Sequence, residues 1–487
     1  MCVMMCEFSR MIYTWFIGVW LVSAGVSGRG EIYEKIAYFW HITDIHYDGH
    51  YNSHMDIRKG CWRPTYDGSS NARGQRGPLS QYGDYSCDST WELIESASKM
   101  MMTRQNEIVE FVLWTGDALS HQAAHHLGEE RKLELIQNVT DLLRKTFSSQ
   151  FVFPALGHDD PSSRKELGKM WSQWLPTDAM RTFETGGYYI IERKTLKLQI
   201  VVLNTNWMKR PDENDEDARR QWEWLDKVLE KFKKNGEMVY LVGHIPPGSD
   251  ERQKATSTPV HAMYRDHHNK RYLAIVRKFH SIIVGQFFGH LHSDTFRVMY
   301  AENGRPISWA MLAPSVTPKR SHDGPNNPGL RIYKFDKDSG QVFDYTQYYL
   351  DLTAANSNGK ADWIVEYNFS TYYGINDITP ANLHTLADKF TQETSTDNSV
   401  FNKYYKANSV RIHNRPPTSC DDVCVHTHYC AITRVDYTEH AECLKIDASA
   451  LSSSSPPISS SARSDVFFMV ICVLNNIIFM LGGLAII

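Results

Sequence analysis

Aspartate and histidine recur at five points along the chain, each time just after a short apolar run. These residues are Asp44 and His46 in "TDIH", Asp117 in "TGD", His158, Asp159 and Asp160 in "GHDD", His244 in "GHIPPG", and His290 and His292 in "GHLH". Carboxylate and imidazole groups are the usual protein ligands of zinc, iron and manganese. Residues two apart at the end of a strand can point to the same side. The set therefore predicts a metal site with enough ligands for two ions, and Asp117 could bridge them.

The apolar runs before these residues indicate strands, and helical patterns lie between them. Strands are expected in "IAYFWHI", "IVEFVLW", "FVFP", "LQIVVL", "MVYLV" and "SIIVGQFF". Helices are expected over 91–104, after an N-cap-like Asp88-Ser89, and over 129–147 and 215–234. Strands that alternate with helices indicate an α/β fold, in which functional groups gather where strands end in loops.

The pattern changes in the last third of the chain. "WAMLAPSV", "GLRIYKFD" and "VFDYTQYYLD" are typical of consecutive antiparallel strands. From residue 376 the pattern becomes helical, and a cysteine cluster follows. We therefore expect a main domain over 29–375 and a small, disulfide-stapled helical subdomain over 376–448.

The overall composition is that of an ordinary globular protein. The chain has 487 residues, of which 42% are hydrophobic and 22% charged, and its net charge is −4. This length suits one large catalytic domain with an appendage. Because there is no basic excess, we do not expect a nucleic-acid polymer as partner. A monomer is expected.

The N-terminal segment is apolar. Residues 11–28 follow Arg10 and end in small residues. This order is typical of a secretory signal peptide over 1–28, cleaved near Gly28, and a retained signal anchor is the alternative.

The C-terminal segment is also apolar. A Ser-rich spacer begins at residue 449, and the apolar run 466–487 follows it without a basic flank. Small residues, a polar spacer and a terminal apolar tail are typical of a GPI-attachment signal over 449–487, with its ω-site within 452–455 or 459–461. A single transmembrane span is the alternative.

The cysteines agree with export from the cell. Six remain when the two terminal segments are set aside: Cys61, Cys87, Cys420, Cys424, Cys430 and Cys443. An even number in an exported chain predicts three disulfides. Local closure favours Cys61 with Cys87 and the other four among themselves, and a zinc knuckle is the alternative for that cluster. Asn138 and Asn368 lie in glycosylation motifs.

The ordered set resembles the motifs of the calcineurin-like metallophosphoesterases, which are D-x-H, G-D, G-N-H-D or E, G-H and G-H-x-H. "HITDIHYD", "WTGD" with His121 four residues after the Asp, "GHIPPG", "GHLHSDTFR" and the Cys-rich end resemble the acid sphingomyelinase-like phosphodiesterases over residues 36–446. The short stretch before the first motif leaves no room for a saposin domain, so the chain looks like the saposin-less branch, and its tail is most like the membrane-anchored 3B type. The resemblance implies a metallophosphoesterase β-sandwich flanked by helices.

The resemblance also implies two Zn²⁺ ions and a set of ligands. One ion would be held by Asp44, His46, Asp117 and His292, and the other by Asp117, His244, His290 and an Asn. Hydrolysis would proceed by in-line attack of hydroxide on phosphorus with both ions stabilising the phosphoryl oxygens. The His of G-N-H-D would protonate the leaving oxygen, and His121 would contact the substrate phosphate.

"GHDD" departs from the G-N-H-D pattern and allows two alignments. Without a gap, His158 replaces the ligand Asn and Asp159 replaces the catalytic His, although a carboxylate is a poor acid at neutral pH unless its pKa is raised. With one residue deleted, His158 and Asp159 keep the catalytic His-Asp pair and the Asn ligand is absent. The deletion is preferred because it retains a proton donor. Either alignment leaves the second zinc site uncertain.

The sequence thus predicts a secreted or cell-surface zinc phosphodiesterase that acts on small nucleotide-type or phospholipid head-group phosphoesters. The altered "GHDD" supports an alternative, which is a catalytically impaired surface binding or regulatory protein on the same scaffold. A phosphomonoesterase is a third option, because the metal core is shared and specificity lies in loops.

Overall fold

The structure is a computed structural model that describes residues 35–51, 61, 80–104, 108–193, 197–212, 214–252, 262–320, 324–392, 399–412 and 420–445. The predicted signal peptide over 1–28 and the predicted GPI signal over 449–487, with its transmembrane alternative, lie outside these residues. Within them, no helix combines the length and the apolar character that a membrane span needs.

Most of the described chain alternates between strands and helices. The strands within the described ranges are β1 (Ile36–Ile42), β2 (Val109–Trp114), β3 (Phe151–Pro154), β4 (Tyr189–Ile191), β5 (Leu198–Val202), β6 (Met238–Val242), β7 (Ile283–Phe288), β8 (Thr295–Tyr300), β9 (Pro306–Leu312), β10 (Gly329–Asp336), β11 (Val342–Leu350) and β12 (Trp363–Asn368). They form two sheets of six strands, in the orders β12-β11-β10-β1-β2-β3 and β4-β5-β6-β7-β9-β8.

Each sheet combines parallel and antiparallel strands. In the first sheet β1, β2 and β3 are parallel, and β10, β11 and β12 are antiparallel to their neighbours. In the second sheet β5, β6, β7 and β9 are parallel, with β4 and β8 antiparallel at the edges. The predicted antiparallel pairing is therefore confirmed for β10 and β11, whereas β9 lies in the second sheet, parallel to β7 and antiparallel to β8.

Helices fill the connections. They are α1 (Trp91–Met102), α2 (His121–His126), α3 (Glu129–Thr146), α4 (Arg164–Trp171), α5 (Thr177–Gly186), α6 (Glu216–Asn235), α7 (Asp266–Phe279), α8 (Leu352–Asn358), α9 (Phe369–Tyr373), α10 (Pro380–Asp388), α11 (Val400–Asn408), α12 (Asp422–Thr433) and α13 (Tyr437–Lys445). In α6 the carboxylate of Asp215 accepts from the Ala218 N–H, and Gly236 ends the helix at φ 68°. Thr90, not the Asp88-Ser89 pair, caps α1.

The two sheets pack face to face through aromatic side chains. Phe39 of β1 stacks on Phe111 of β2 with ring centroids 4.9 Å apart, and it meets Phe287 of β7 edge-on at 5.2 Å. Tyr240 of β6 also contacts Phe287, at 5.0 Å. Aromatic pairs of this geometry add to the burial energy of a core. The α/β sandwich flanked by helices is therefore confirmed.

The C-terminal helices lie on the second sheet. α10 packs on β9, and α12 packs on β8. The disulfides are Cys61–Cys87, Cys420–Cys424 and Cys430–Cys443. This is the local pairing that the sequence favoured, and it leaves no thiolate of the cluster for a zinc knuckle. The described residues up to Lys445 form one compact unit, so the boundary at residue 376 stays a prediction.

His428 of α12 gives the stability of this unit a dependence on pH. Burial lowers the pKa of His428 to about 4, against its ordinary 6.5. Below pH 6.5 the unfolded chain binds a proton at His428, whereas the folded chain does not until the pH approaches 4. The contribution of His428 to the free energy of unfolding is therefore complete above pH 6.5 and decreases as the pH falls toward 4. Between pH 6.5 and 5 this loss is about 2 kcal/mol, at 1.36 kcal/mol per pKa unit.

We expect His428→Gln to lose about 2 kcal/mol less stability than the wild type between pH 7 and pH 5, because Gln does not titrate. Urea unfolding at the two pH values measures this difference. The exposed His125→Gln serves as control and should behave like the wild type. Equal losses in His428→Gln and the wild type would show that His428 is not neutral in the fold.

Candidate metal centre

The carboxyl ends of the parallel strands meet at one edge of the sandwich. The predicted residues follow these ends: Asp44 and His46 after β1, Asp117 after β2, His158 and Asp159 after β3, His244 after β6, and His290 and His292 after β7. Backbone hydrogen bonds join the loops, since the Asp44 N–H donates to the Gly116 carbonyl and the His46 N–H to the Asp117 carbonyl, both at 3.0 Å. The topology therefore collects residues from both sheets in one place.

The backbone is strained at these residues. Among the described non-glycine residues, positive φ values occur at Asp44 (50°), His46 (45°), Asp117 (52°), His290 (69°), His292 (57°), Val410 (51°) and Arg411 (64°). The first five belong to the predicted ligand set. Non-glycine residues avoid this region, and strain of about 1–3 kcal/mol per residue persists where surrounding structure fixes it, often at functional sites.

Two glycines of the motifs are required by close approach. A Cβ on Gly157 would lie 2.0 Å from Asp117 Oδ1, and a Cβ on Gly289 would lie 2.1 Å from Thr43 Oγ1 and 2.6 Å from Asp44 Oδ2. No real Cβ tolerates these distances. The glycines before His158 and His290 are therefore needed, because they let the carboxylates of Asp117 and Asp44 lie against the loop backbone.

A first group of ligand atoms contains the four residues predicted to share one ion. His46 Nε2 and His292 Nε2 are 3.2 Å apart, and His292 Nε2 is 3.3 Å from Asp44 Oδ1. His46 Nε2 is 3.7 Å from one oxygen each of Asp44 and Asp117. All four side chains are buried.

Backbone carbonyls orient three of the imidazoles. The hydrogen bonds run from His46 Nδ1 to Leu119 O (2.9 Å), from His244 Nδ1 to Thr115 O (2.7 Å) and from His292 Nδ1 to Lys319 O (2.7 Å). A carbonyl oxygen only accepts, so each Nδ1 carries a proton and the neutral ring keeps its lone pair on Nε2. Carbonyl partners of this kind are usual for histidines that bind a metal ion.

A second group lies beside the first and shares Asp117 with it. Asp117 Oδ2 is 2.9 Å from His158 Nδ1 and 3.0 Å from His244 Nε2. The ring of His290 lies 4.9 Å from that of His158 and 5.1 Å from that of His244. Ligand atoms of these four residues all lie within 4.8 Å of one another, as do those of Asp44, His46 and Asp117.

The electrostatics of both groups favour a positive charge. Burial alone would raise the pKa of Asp44 and Asp117, yet the imidazoles around them hold the pKa of both carboxyls well below the usual range. Burial would lower the pKa of His46 and His244, yet the Asp44 hydrogen bond raises that of His46 to about 10 and the Asp117 charge raises that of His244 to about 9. Buried carboxylates need cationic partners, so the residues fit divalent cations.

Asp160 fastens the loops that carry the second group. Its carboxylate accepts from the backbone N–H of Ala118 (2.7 Å), Gly157 (2.8 Å) and Asp117 (3.1 Å). Burial and the charge on Asp117 raise the pKa of Asp160 to about 6. Asp160 therefore holds the loop after β2 against the loop after β3.

The position of His158 is compatible with the ungapped alignment, because His158 belongs to the second group of ligand atoms. Asp159 donates its N–H to Asp117 Oδ1 at 2.9 Å, and its own carboxylate lies 3.7 Å from His158 Nε2 and 3.8 Å from His46 Nδ1. His158 Nδ1 lies 2.9 Å from Asp117 Oδ2 and its side chain is 38% exposed, so the deletion, with His158 as proton donor, stays a prediction.

His121 lies at the margin of the first group. Its ring stacks on that of His46 with centroids 4.1 Å apart, and its Nδ1 lies 2.9 Å from Asp88 Oδ1. Lys319 Nζ also approaches Asp88, at 3.4 Å. The side chain of His121 is 19% exposed, so it can be reached from solvent.

Sequence reasoning missed two residues of the centre and gave a third no specific role. Asp88 was assigned to a helix start, and Lys209, whose Nζ is 3.4 Å from His290 Nε2, was not singled out. Asp160 was included in the predicted set, but its contacts with the loop backbone were not foreseen. The second Asp of "GHDD" was the available signal for Asp160. No pattern in the sequence connects Lys209 with His290.

Comparisons with known proteins agree with this geometry. Residues 37–294 match the family described as calcineurin-like phosphoesterase, and residues 305–450 match the acid sphingomyelin phosphodiesterase C-terminal region. The chain therefore belongs to the calcineurin-like phosphoesterase family, within its acid sphingomyelinase-like group, and it is an enzyme of the phosphoesterase class.

Relatives are similar over most of their length. Acid sphingomyelinase-like phosphodiesterase 3b of Homo sapiens is 34% identical over 427 residues, which cover 83% of this chain and 90% of that protein. Cyclic GMP-AMP phosphodiesterase SMPDL3A of Homo sapiens is 34% identical over 445 residues, or 88% of this chain and 94% of that protein. Sphingomyelinase phosphodiesterase C of Dictyostelium discoideum is 30% identical over 429 residues, or 83% and 92%.

The two alignments of "GHDD" make opposite predictions for His158. If His158 is a ligand, His158→Asn should keep two bound metal ions and most of the turnover, whereas His158→Ala should lose the second ion. The number of bound metal ions, measured by mass spectrometry, and the hydrolysis rate of each variant together distinguish the two alignments. Two ions in His158→Ala with a loss of turnover of about 100-fold or more would instead assign His158 as the proton donor.

Proposed function

We propose that this chain hydrolyses small phosphodiesters at a centre of two metal ions. One observation carries the proposal, namely that the buried Asp117 carboxylate belongs to two adjacent groups of ligand atoms. A carboxylate shared in this way suits a bridge between two cations. Nitrogen and oxygen ligands without a thiolate are compatible with zinc.

The residues divide between the two ions. Asp44, His46, Asp117 and His292 would hold the first ion, and Asp117, His158, His244 and His290 would hold the second. When bound, such ions neutralise the charge on the phosphoryl oxygens and lower the pKa of the attacking water. The carbonyl-bound Nδ1 atoms keep the rings oriented, which preorganises the site.

Protonation of the leaving oxygen is assigned to residues at the margin. Asp159 stands at the family's catalytic His in the ungapped alignment, and a carboxylate is a weaker candidate for an acid at neutral pH. His121 is accessible, and Asp88 orients its Nδ1, so its Nε2 would face substrate. We infer that His121 contacts the phosphate or the leaving group.

The substrate class follows from the relatives and from the shape of the site. The relatives' names include phosphodiesterases of cyclic GMP-AMP and of sphingomyelin. His158 and His121, with 38% and 19% of their side chains exposed, mark the accessible side of the centre. We therefore propose nucleotide-type or phospholipid head-group phosphodiesters as substrates.

One observation favours a second candidate function. In the ungapped alignment, Asp159 places a carboxylate, 3.8 Å from His46 Nδ1, where the family pattern has a histidine. A centre that binds metal and ligand but turns over slowly would serve a surface binding or regulatory protein. Turnover of the purified chain decides between the two.

We expect Asp117→Asn to lose both metal ions and to lower hydrolysis of a chromogenic phosphodiester by at least 100-fold, because the bridging charge is removed. The measurements are metal content and hydrolysis rate on the same secreted sample. Asp178→Asn, at a side chain 97% exposed, is the matched control and should change neither. Unchanged metal and rate in Asp117→Asn would refute the site.

We propose that the protein works outside the cell or on its surface. Three disulfides support an oxidising compartment. Asn138 and Asn368 are both exposed, as glycosylation requires. The terminal sequence over 449–487 supports attachment to the membrane by a GPI anchor.

The anchor is tested on cells that express the full chain. A phosphatidylinositol-specific phospholipase should release the protein into the medium, because a GPI anchor is cleaved at its lipid. Immunoblotting of medium and membranes measures the release. Retention in the membrane would favour the transmembrane alternative for residues 466–487.

A further inference from the structure

A buried polar network joins the C-terminal helix α11 to the loop that carries His292. We define the α11 network as Glu251, Arg252, Arg297, Asn326 and Asn408. Four of them are at most 1% exposed, and Arg252 is partly buried. Apart from the adjacent Glu251 and Arg252, they are far apart in the sequence, so only the fold brings them together.

Asn408, at the end of α11, is the centre of this network. Its Nδ2 donates to Glu251 Oε1 at 2.9 Å, and its Oδ1 accepts from Arg252 Nε at 2.7 Å. Glu251 is also paired with Arg297 through Oε2 at 2.7 Å. The amide of Asn408 is therefore used on both sides, as a donor to a carboxylate and as an acceptor for a guanidinium.

The network reaches the metal centre through Asn326. Arg252 donates through Nη2 to Asn326 Oδ1 at 2.8 Å, and Asn326 Nδ2 donates to the His292 carbonyl. Beside this path, Arg320 Nε donates to the Leu291 carbonyl at 2.7 Å. The backbone of the loop is therefore held at the His292 and Leu291 carbonyls.

The backbone of α11 makes a second connection to the same loop. The Asp294 N–H donates to the Asn408 carbonyl at 3.1 Å. Directly after α11, Val410 is buried and adopts φ 51°, which is a rare conformation for a β-branched residue. Its carbonyl accepts from Asn327 Nδ2 at 2.9 Å. The strain at Val410 indicates that tertiary contacts hold this segment in place.

Asn408 has few substitutes in this position. An apolar side chain would leave a buried carboxylate and a guanidinium each short of a partner, and unpaired buried charges are costly. An aspartate would serve Arg252 but would repel Glu251. The amide thus matches the two charged neighbours that it separates.

We propose that Asn408 is a positioning residue for the first group of ligand atoms. It fixes the position of His292 through Arg252, Asn326 and the His292 backbone. The inference rests on the proposed function, because it assumes that His292 holds a metal ion. The C-terminal helices would then form part of the machinery of the centre, although they supply no ligand to it. Outer residues of this kind typically change metal affinity 10–100-fold.

The test compares Asn408→Ala with Phe401→Ala, both in α11. Phe401 is buried among aromatic side chains and takes no part in the α11 network. The full-length secreted proteins are loaded with Zn²⁺, and a chromophoric chelator is titrated against them. The thermal midpoint of each protein is also measured, and Co²⁺ absorption reports the geometry of the ligands independently of activity.

In Asn408→Ala, the Zn²⁺ ion of the first group should be released at a roughly 10–100-fold lower chelator concentration than in the wild type. The absorption spectrum of the Co²⁺-loaded variant should also differ from that of the wild type. Phe401→Ala should lose thermal stability but keep wild-type affinity and spectrum. Equal metal affinity in Asn408→Ala and the wild type would overturn the inference, and so would an equal loss of affinity in Phe401→Ala.

Two further outcomes of the experiment also have a defined meaning. If Asn408→Ala is not secreted, Asn326→Ala breaks the same path at its other end and is judged by the same criteria. If the wild type itself binds no Zn²⁺, the proposed function fails, and this result is separate from a failure of the inference, which requires a wild type that binds metal.

Discussion

Two buried carboxylates, those of Asp44 and Asp117, impose the constraint on which the rest of the centre depends. Both side chains are fully buried, and an isolated buried carboxylate is strongly disfavoured. The fold meets this cost by surrounding them with imidazoles and backbone N–H groups and by arranging ligand atoms that fit cations. Five of the residues involved accept a positive φ to do so. The local strain is tolerated because the packed sheets beneath fix the ends of the strands.

The centre exists only when the two sheets are assembled. Asp117 belongs to the first sheet, whereas His244 and His290 follow strands of the second. The aromatic layer around Phe39 and Phe287 joins those sheets. Bound metal would therefore stabilise the closed sandwich by mass action, since the unfolded chain has no such site. The packing of the two sheets therefore determines both the stability of the fold and the affinity for metal.

The sequence predicted features that follow from short spacing or from polar residues at the ends of strands, and it missed long-range contacts that neither pattern indicates. Strand-end motifs, the amphipathic α6 and the local disulfides were predictable, because periodicity and loop closure act over a few residues. A single-residue gap in "GHDD" leaves no trace in spacing, so the position of His158 required coordinates. Asp88 was attributed to a helix start, because its partner His121 lies 33 residues away. The link between Asn408 and Glu251, 157 residues apart, had no local signal at all.

The change from G-N-H-D to "GHDD" redistributes chemistry within the centre. In the ungapped alignment, His158 would bring an imidazole to the second group in place of a neutral amide, and the ion there would gain a stronger ligand. Asp159 would replace the catalytic histidine with a carboxylate, which lies 3.7 Å from His158 Nε2 and 3.8 Å from His46 Nδ1. The remaining donor must be accessible and must not be engaged by an ion. We propose His121 for this role, because it is 19% exposed and its Nδ1 lies 2.9 Å from Asp88 Oδ1. Turnover would then depend on the first group and its neighbours more than on the loop after β3.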